Sequence, residues 1–345
     1  MGPKPAAKAG AAEGVDGEDP AAFLSNYQKF CKLIGLAANT GVAKNLNDEE
    51  KWPVKQIIID DEFGPLGPGG TRALMTALMG SGPGMKGGPY KLLECVRLWR
   101  SNAGDEGVMA IAQVLQLGGA EVKLNYLELL DNNVGPRGCM ALGHSLAKGG
   151  NVSLLTLNLD YNGLIGTEGV QNLCRGLRSN ISLRNLSMQY CRIEANAGPA
   201  IADVLSNAKT GLESITLNGN RLGGVGLASL CIGLSHNECL QKLSLADNMI
   251  DQTDEDLAGL TELRALLMNG KTKITSVDLL YNRIGGPGAE VLLPVIEGEG
   301  ANKSISEFLV DLTIPMALFD KLYKAGGAKK GKGSKRGKKG KKAKK

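Results

Sequence analysis

The phrase LxxLxLxxNxL recurs along this chain, in its regular copies every 28 to 31 residues, and no other feature limits the fold so severely. Leu154, Leu157, Leu159, Asn162 and Leu164 make one copy; Leu212, Ile215, Leu217, Asn220 and Leu222 make another. Copies start at residues 54, 93, 124, 154, 183, 212, 240, 274 and 305. Ser101 and Cys191 take the Asn slot in two of them. The outermost copies keep only the aliphatics, Val54, Ile57, Ile59 and Ile305, Phe308, Val310.

Within a copy the period changes. The first half alternates, which turns Ile215 and Leu217 inward and their neighbours outward on a short strand. The second half, opened by a glycine such as Gly138, Gly226 or Gly288, has the apolar spacing of an amphipathic helix. The Asn between them has the donors and acceptor to bond backbone where the strand turns away. One copy cannot fold alone. About seven buried aliphatics contribute ~10–20 kcal/mol, whereas ordering ~28 backbones at ~1–2 kcal/mol each costs more. Stacking removes the deficit, because each unit then buries both sides of its Leu layer. The expected fold is therefore α/β: a solenoid, or horseshoe, with parallel strands on the concave face and helices on the convex one.

Leu and small residues must fill this core, since only 4% of the chain is aromatic while Gly numbers 48. Cys174 and Cys231 fall at apolar helix positions, where a thiol is a small hydrophobe, and seven unpaired cysteines point to a reducing, cytoplasmic setting. No apolar run approaches the ~18 residues of a membrane helix. Residues 1–19 lack a signal-peptide core and have the composition of a disordered leader. The helical spacing of Phe23, Leu24, Tyr27, Phe30, Cys31, Ile34 and Leu36 makes 20–53 an N-terminal cap. The solenoid fills 54–323, and Pro315 opens a closing helix with Leu318, Phe319, Leu322 and Tyr323. Two spacings are long, 54 to 93 and 240 to 274, and are expected to be excursions from the rim.

Charge divides the chain. Residues 324–345 form a disordered tail, and its stretch 329–345 carries eleven cations and no acid: Lys329, Lys330, Lys332, Lys335, Arg336, Lys338, Lys339, Lys341, Lys342, Lys344 and Lys345. The remaining 29 basic residues (40 less 11) face 35 acidic ones, so the body is net −6. Such a tail meets acidic partners: nucleic acid, anionic lipid, or the acidic tails of tubulin. Lipid is the weakest of these, because no apolar anchor accompanies the charge.

No catalytic, metal or cofactor constellation is apparent. His144 and His236 lie more than 90 residues apart, without Cys or Asp at ligand spacing. "DQTDED" (251–256) lacks the Gly and closing Glu of a calcium loop and reads as a helix cap. The Gly-rich stretch at 79–90 is not followed by the Gly-Lys-Ser/Thr of a phosphate loop. The informative surface is the strand face, where Arg97, Trp99, Arg100, Tyr126, Asp131, Tyr161, Tyr190, Asp247 and Tyr281 project. Tyr, Trp and Arg are the types that anchor protein partners.

The repeat resembles the leucine-rich repeat, and its period resembles the ribonuclease-inhibitor subfamily. Activators of the GTPase Ran use such repeats with an acidic tail, whereas this tail is basic; Arg97 and Arg100 would be the charge stabilisers in that reading. The "YQKFC" helix, the closing "FLVDLTIPMALFDKLYK" and the basic extensions resemble leucine-rich-repeat proteins of the motile cilium, in radial spokes and the nexin–dynein regulatory complex. That resemblance implies a non-enzymatic scaffold of the axoneme, bound to other proteins of a large assembly. A nuclear or ribosome-associated adaptor is the alternative, with nucleic acid as second-choice partner.

Overall fold

A computed structural model describes residues 17–48, 50, 52–118, 121–207 and 209–326. Among these residues nine strands form one open parallel sheet in strict chain order. They are β1 (Gln56–Ile59), β2 (Cys95–Trp99), β3 (Tyr126–Leu130), β4 (Thr156–Asn158), β5 (Asn185–Ser187), β6 (Ser214–Thr216), β7 (Lys242–Ser244), β8 (Ser276–Asp278) and β9 (Glu307–Leu309). The helices that return the chain are α3 (Gly67–Leu78), α4 (Gly104–Leu117), α5 (Pro136–Leu146), α6 (Gly166–Leu177), α7 (Gly198–Leu205), α8 (Gly223–Leu234), α9 (Asp254–Met268) and α10 (Gly285–Ile296). Each packs on its neighbours in sequence.

The strand register is the repeat register. Ile57, Val96, Leu127, Leu157, Leu186, Ile215, Leu243, Val277 and Phe308 stand side by side across the sheet, all buried. Where each strand turns away, the expected asparagine does more than bond its own turn. Asn162 Nδ2 donates to Leu159 O in its own repeat (2.8 Å) and to Leu129 O in the one before (2.7 Å). Its Oδ1 accepts from the backbone N–H of Asn132 (2.8 Å) and Val134 (3.0 Å). Asn220 and Asn282 repeat this two-way bonding. Cys191 manages less, with its thiol 3.2 Å from Leu159 O and 3.3 Å from Gln189 O.

Glycine plays a different part from the one expected. Gly138, Gly226 and Gly288 lie inside α5, α8 and α10, and do not open them. The openers of four helices are Gly104, Gly166, Gly223 and Gly285, at φ of 58°, 52°, 54° and 59°, in the left-handed region that costs glycine nothing. Interior glycines instead let helix backbones touch: a Cβ on Gly176 of α6 would lie 1.8 Å from Gly143 O of α5. The cysteines pack as small hydrophobes. Burial pushes Cys174 and Cys191 up to about 12, and Cys139 and Cys231 upward as well.

The ends close with more parts than one helix each. The N-terminal helix α1 (Pro20–Leu33) packs along α3 and buries Phe23, Tyr27 and Cys31, while Leu33, Ile34 and Leu36 stay exposed. The edge of β1 is covered by α2 (Thr40–Leu46), whose Asn45 accepts from Ile58 N–H (3.1 Å) and donates to Ile58 O (2.9 Å). Side-chain amide thus replaces a missing strand. At the far end α11 (Met316–Leu322) seals α10 with the fully buried Leu322. Lys324 then pairs antiparallel with Phe308, closing the edge of β9.

Neither long spacing is a loose excursion. In the first, the stretch after α3 folds back onto α1: Asn26 bonds both N–H and C=O of Lys86, and Tyr90 packs on Phe23 at 5.3 Å. The second is absorbed by α9, a helix of 15 residues whose first turn is capped by Thr253. The leader residues 1–16 and the cations at 329–345 lie outside the described residues.

This packing predicts that Leu217→Ala, which empties a fully buried site, destabilises by roughly 2–5 kcal/mol. Thr216→Ala on the opposite side of the strand costs a small fraction of that. Denaturant unfolding of both variants checks the register, and equal losses would contradict it.

Candidate protein-binding face

The residue before the asparagine slot has an unusual backbone in every repeat that carries it. Arg100, Asp131, Tyr161, Tyr190, Asp247 and Tyr281 have φ between 48° and 61°, and Gly219 occupies the same place at 68°. A side chain there costs strain, on the order of 1–2 kcal/mol. The cost arises because the strand must turn sharply so that the following Asn points inward while its neighbour points to solvent. The left-handed turn therefore sets a row of side chains along the C-terminal edge of the sheet.

Two of the tyrosines in this row meet. Tyr161 and Tyr190 stack with ring centroids 5.0 Å apart and 14° between planes. Gly219 extends the stack by absence: a Cβ there would lie 2.2 Å from the Tyr190 ring. The rings are not hidden, with Tyr161 52%, Tyr190 42% and Tyr281 73% exposed. The Tyr190 hydroxyl is held above its usual range, first by burial and then by the charge of Asp247. Tyr161, Tyr190, Asp247 and Tyr281 thus belong to one ledge.

The first strands carry a second group. The register β2–β3 sets Arg97 beside Glu128 and Cys95 beside Tyr126. Arg97 lies over the Tyr126 ring at 4.8 Å, with its Nε 3.6 Å from Glu128, and Tyr126 donates to the same carboxylate (3.2 Å). Arg100 bridges Asp61 (2.6 Å) and Asp131 (3.6 Å). Both arginines are therefore engaged by carboxylates. Trp99 stands apart, lining an open hollow of about 390 Å³ with Asp60, Asp61, Glu62, Arg100 and Leu130; its buried indole N–H finds no acceptor among the described residues.

Glu128 and Asp61 were not legible as members of this face. Glu128 is two residues from Tyr126 on the same strand side, so strand alternation was the available signal. Asp61 joins only because β1 and β2 are neighbours. A polar ladder beneath the ledge was also hidden: Asp160 accepts from Ser187 (2.6 Å), Gln189 N–H (2.7 Å) and Gln189 Nε2 (2.8 Å). Asn218 continues it, donating to Gln189 (3.3 Å) and accepting from Ser244 (2.8 Å). Ser244 is consequently a working residue of the face.

His144 ends up in α5 and His236 in the turn after α8. No group of three or more His, Cys, Asp or Glu is placed to hold a metal among the described residues. No described helix is long and apolar enough to cross a membrane.

The Leucine Rich repeat family model matches residues 122–143, 150–174 and 270–293. The units are leucine-rich repeats. They are similar to those of mouse ribonuclease inhibitor, which is 29% identical over 145 residues, 41% of this chain and 30% of that protein. The mouse NACHT, LRR and PYD domains-containing protein 12 is 33% identical over 198 residues, 56% of this chain and 18% of its own length. The matched stretch spans less than a third of either relative. Among solved structures, an internalin from Listeria monocytogenes covers 91% of this chain at 14% identity with a TM-score of 0.33.

The left-handed slot predicts an order of stability at Asp247. Asp247→Gly removes the strain, whereas Asp247→Val adds a β-branched clash and lowers stability by roughly 1–2 kcal/mol relative to the glycine variant. Thermal unfolding of the pair reads the difference.

Proposed function

We propose that this leucine-rich-repeat chain is a non-enzymatic scaffold that binds other proteins through the tyrosine ledge and the strand face beside it. The exposed stack of Tyr161 on Tyr190 carries the reading. Aromatic rings displayed at a backbone cost of their own are poor value for stability. They offer a rigid, amphipathic surface to a partner, the kind of residue on which interface energy concentrates. Around them the Asp160–Gln189–Asn218 ladder holds the platform still, which lowers the ordering cost of binding.

The assembly proposed is the motile-cilium axoneme, in a radial spoke or the nexin–dynein regulatory complex. Support comes from the resemblance of the N-terminal helix, the closing segment and the basic extensions. The ledge would dock a protein subunit of that assembly, and the Lys-rich tail would reach an acidic surface such as the tubulin tails. The alternative, a nuclear or ribosome-associated adaptor, has the same tail chemistry in its favour.

The test replaces Trp99, Tyr161 and Tyr190 together by Ala in a tagged chain expressed in ciliated cells. The expected variant folds with unchanged helix and strand signal but is lost from isolated axonemes at least tenfold relative to wild type. Normal incorporation would move the docking surface off this face, and an exclusively nuclear signal for the wild-type chain would overturn the axonemal placement.

The tail has its own expected outcome. Residues 1–328 alone should lose most of the microtubule affinity of the full chain, and full-chain binding should fall steadily as salt rises from 50 to 300 mM, roughly the range over which screening shortens below 10 Å. Cosedimentation with microtubules, before and after proteolytic removal of the acidic tubulin tails, measures it.

A further inference from the structure

The turns that bring each helix back to its strand form the rim opposite the tyrosine ledge. Here a second row of asparagines governs the backbone. Asn151 donates to Leu115 O (3.0 Å) and accepts from Ser153 and Leu154 N–H; Asn180 donates to Leu146 O (2.8 Å) and accepts from Ser182 and Leu183 N–H. Asn237 repeats the pattern on Leu205 O. Each sits three residues ahead of the first Leu of a repeat, as Asn-x-Ser/Cys-Leu. Neighbouring turns are also tied directly, by Lys148 N–H to Ser179 Oγ (2.9 Å) and Asn207 Nδ2 to Arg178 O (3.0 Å).

These fixed turns enclose an open groove of about 420 Å³ across the α5–β4, α6–β5 and α7–β6 connections. Its floor includes Leu146 and Ala147, and its walls carry Val152 and Ile181, which are 69% and 55% exposed. The x position that Val152 and Ile181 occupy holds Glu238 and Lys303 in later repeats. Only in these two adjacent repeats does the motif present an aliphatic group to solvent. Lys148, Arg178 and Lys209 line the same groove, no carboxylate does, and none of the three cations has an ion-pair partner among the described residues. The three cations stand together on a body whose net charge is −6.

We infer that this groove is a second docking site, for an extended acidic segment of a protein partner that places one large apolar side chain between Val152 and Ile181. The aliphatic walls take the anchor. The three cations select carboxylates on either side of it. Because the turns are already held by side-chain amides, the protein has little left to order when the segment arrives. Among the described residues the groove's lining contains no aromatic ring, so a nucleic-acid base would find no stacking platform there. The site shares no residue with the ledge, and its failure would leave the ledge reading untouched.

A fluorescent ten-residue peptide of Asp and Glu with a central Leu-Phe pair serves as probe, titrated against the full chain by anisotropy. The Lys-rich tail is present in every sample, so comparison among full chains isolates the groove. Ile181→Asp, and separately the pair Lys148→Glu with Arg178→Glu, should each weaken binding at least tenfold without shifting the melting temperature. Replacing the Leu-Phe pair in the peptide by Ser should do the same, which attraction to the tail alone would not produce. A photoreactive group on the apolar position should label residues within 146–152 or 178–182. Equal binding by wild type and both variants, tighter binding of a single-stranded RNA competed by neither change, or labelling confined to 329–345 would each overturn the proposal.

Discussion

A buried side-chain amide that bonds backbone in two repeats at once is the interaction on which this molecule depends. Asn162 satisfies two N–H groups of the preceding repeat and carbonyls of both. Leaving such groups unpaired in the core costs roughly 1–3 kcal/mol each. Parallel strands of three residues, such as β4 to β9, bring few ladder bonds of their own. The amide therefore makes the sharp exit from each strand affordable and couples each repeat to the one before. In a quasi-one-dimensional array this nearest-neighbour term decides whether the unit folds at all.

The same turn generates the surface. To send the asparagine inward, the residue ahead of it adopts a left-handed backbone, and whatever side chain it bears is thrust to solvent. Structure and display are one constraint here. Six repeats bear a side chain at that strained place and one, at Gly219, bears none, with the Tyr190 ring resting where its Cβ would be. The opposite rim uses asparagine again, at Asn151, Asn180 and Asn237, to fix turns whose outward residue varies freely from Val152 to Lys303. Both rims are thus rigid frames with interchangeable side chains.

The two ends show how an open parallel sheet is finished. Asn45 imitates a neighbouring strand at β1, and Lys324 supplies a real one, antiparallel, at β9. Unpaired edges invite further pairing, so each solution protects the array from growing by addition of another chain.

Sequence alone determined the inward register of the strands, from Leu154 to Val310, because a two-residue alternation followed by helical spacing admits one stacking that buries the strand aliphatics. The last position of one copy was misplaced, since Leu164 is 59% exposed and the next residue, Ile165, turns inward in its stead. It also determined the asparagine slot and the identity of the projecting side chains, Trp99 and Tyr161 among them. Proximity between repeats was another matter. That Arg100 sits between Asp61 and Asp131, that Arg97 lies over Tyr126 with Glu128 beneath, and that Tyr161 stacks on Tyr190 depend on which strands are neighbours and how far each turn rotates its side chain. The roles of glycine were likewise decided in three dimensions: Gly143 and Gly176 are alike on the page, yet they lie on facing helices whose backbones meet only because neither has a Cβ. A repeat encodes its own local geometry, residue by residue, while contacts across repeats arise from stacking, a property no single repeat contains.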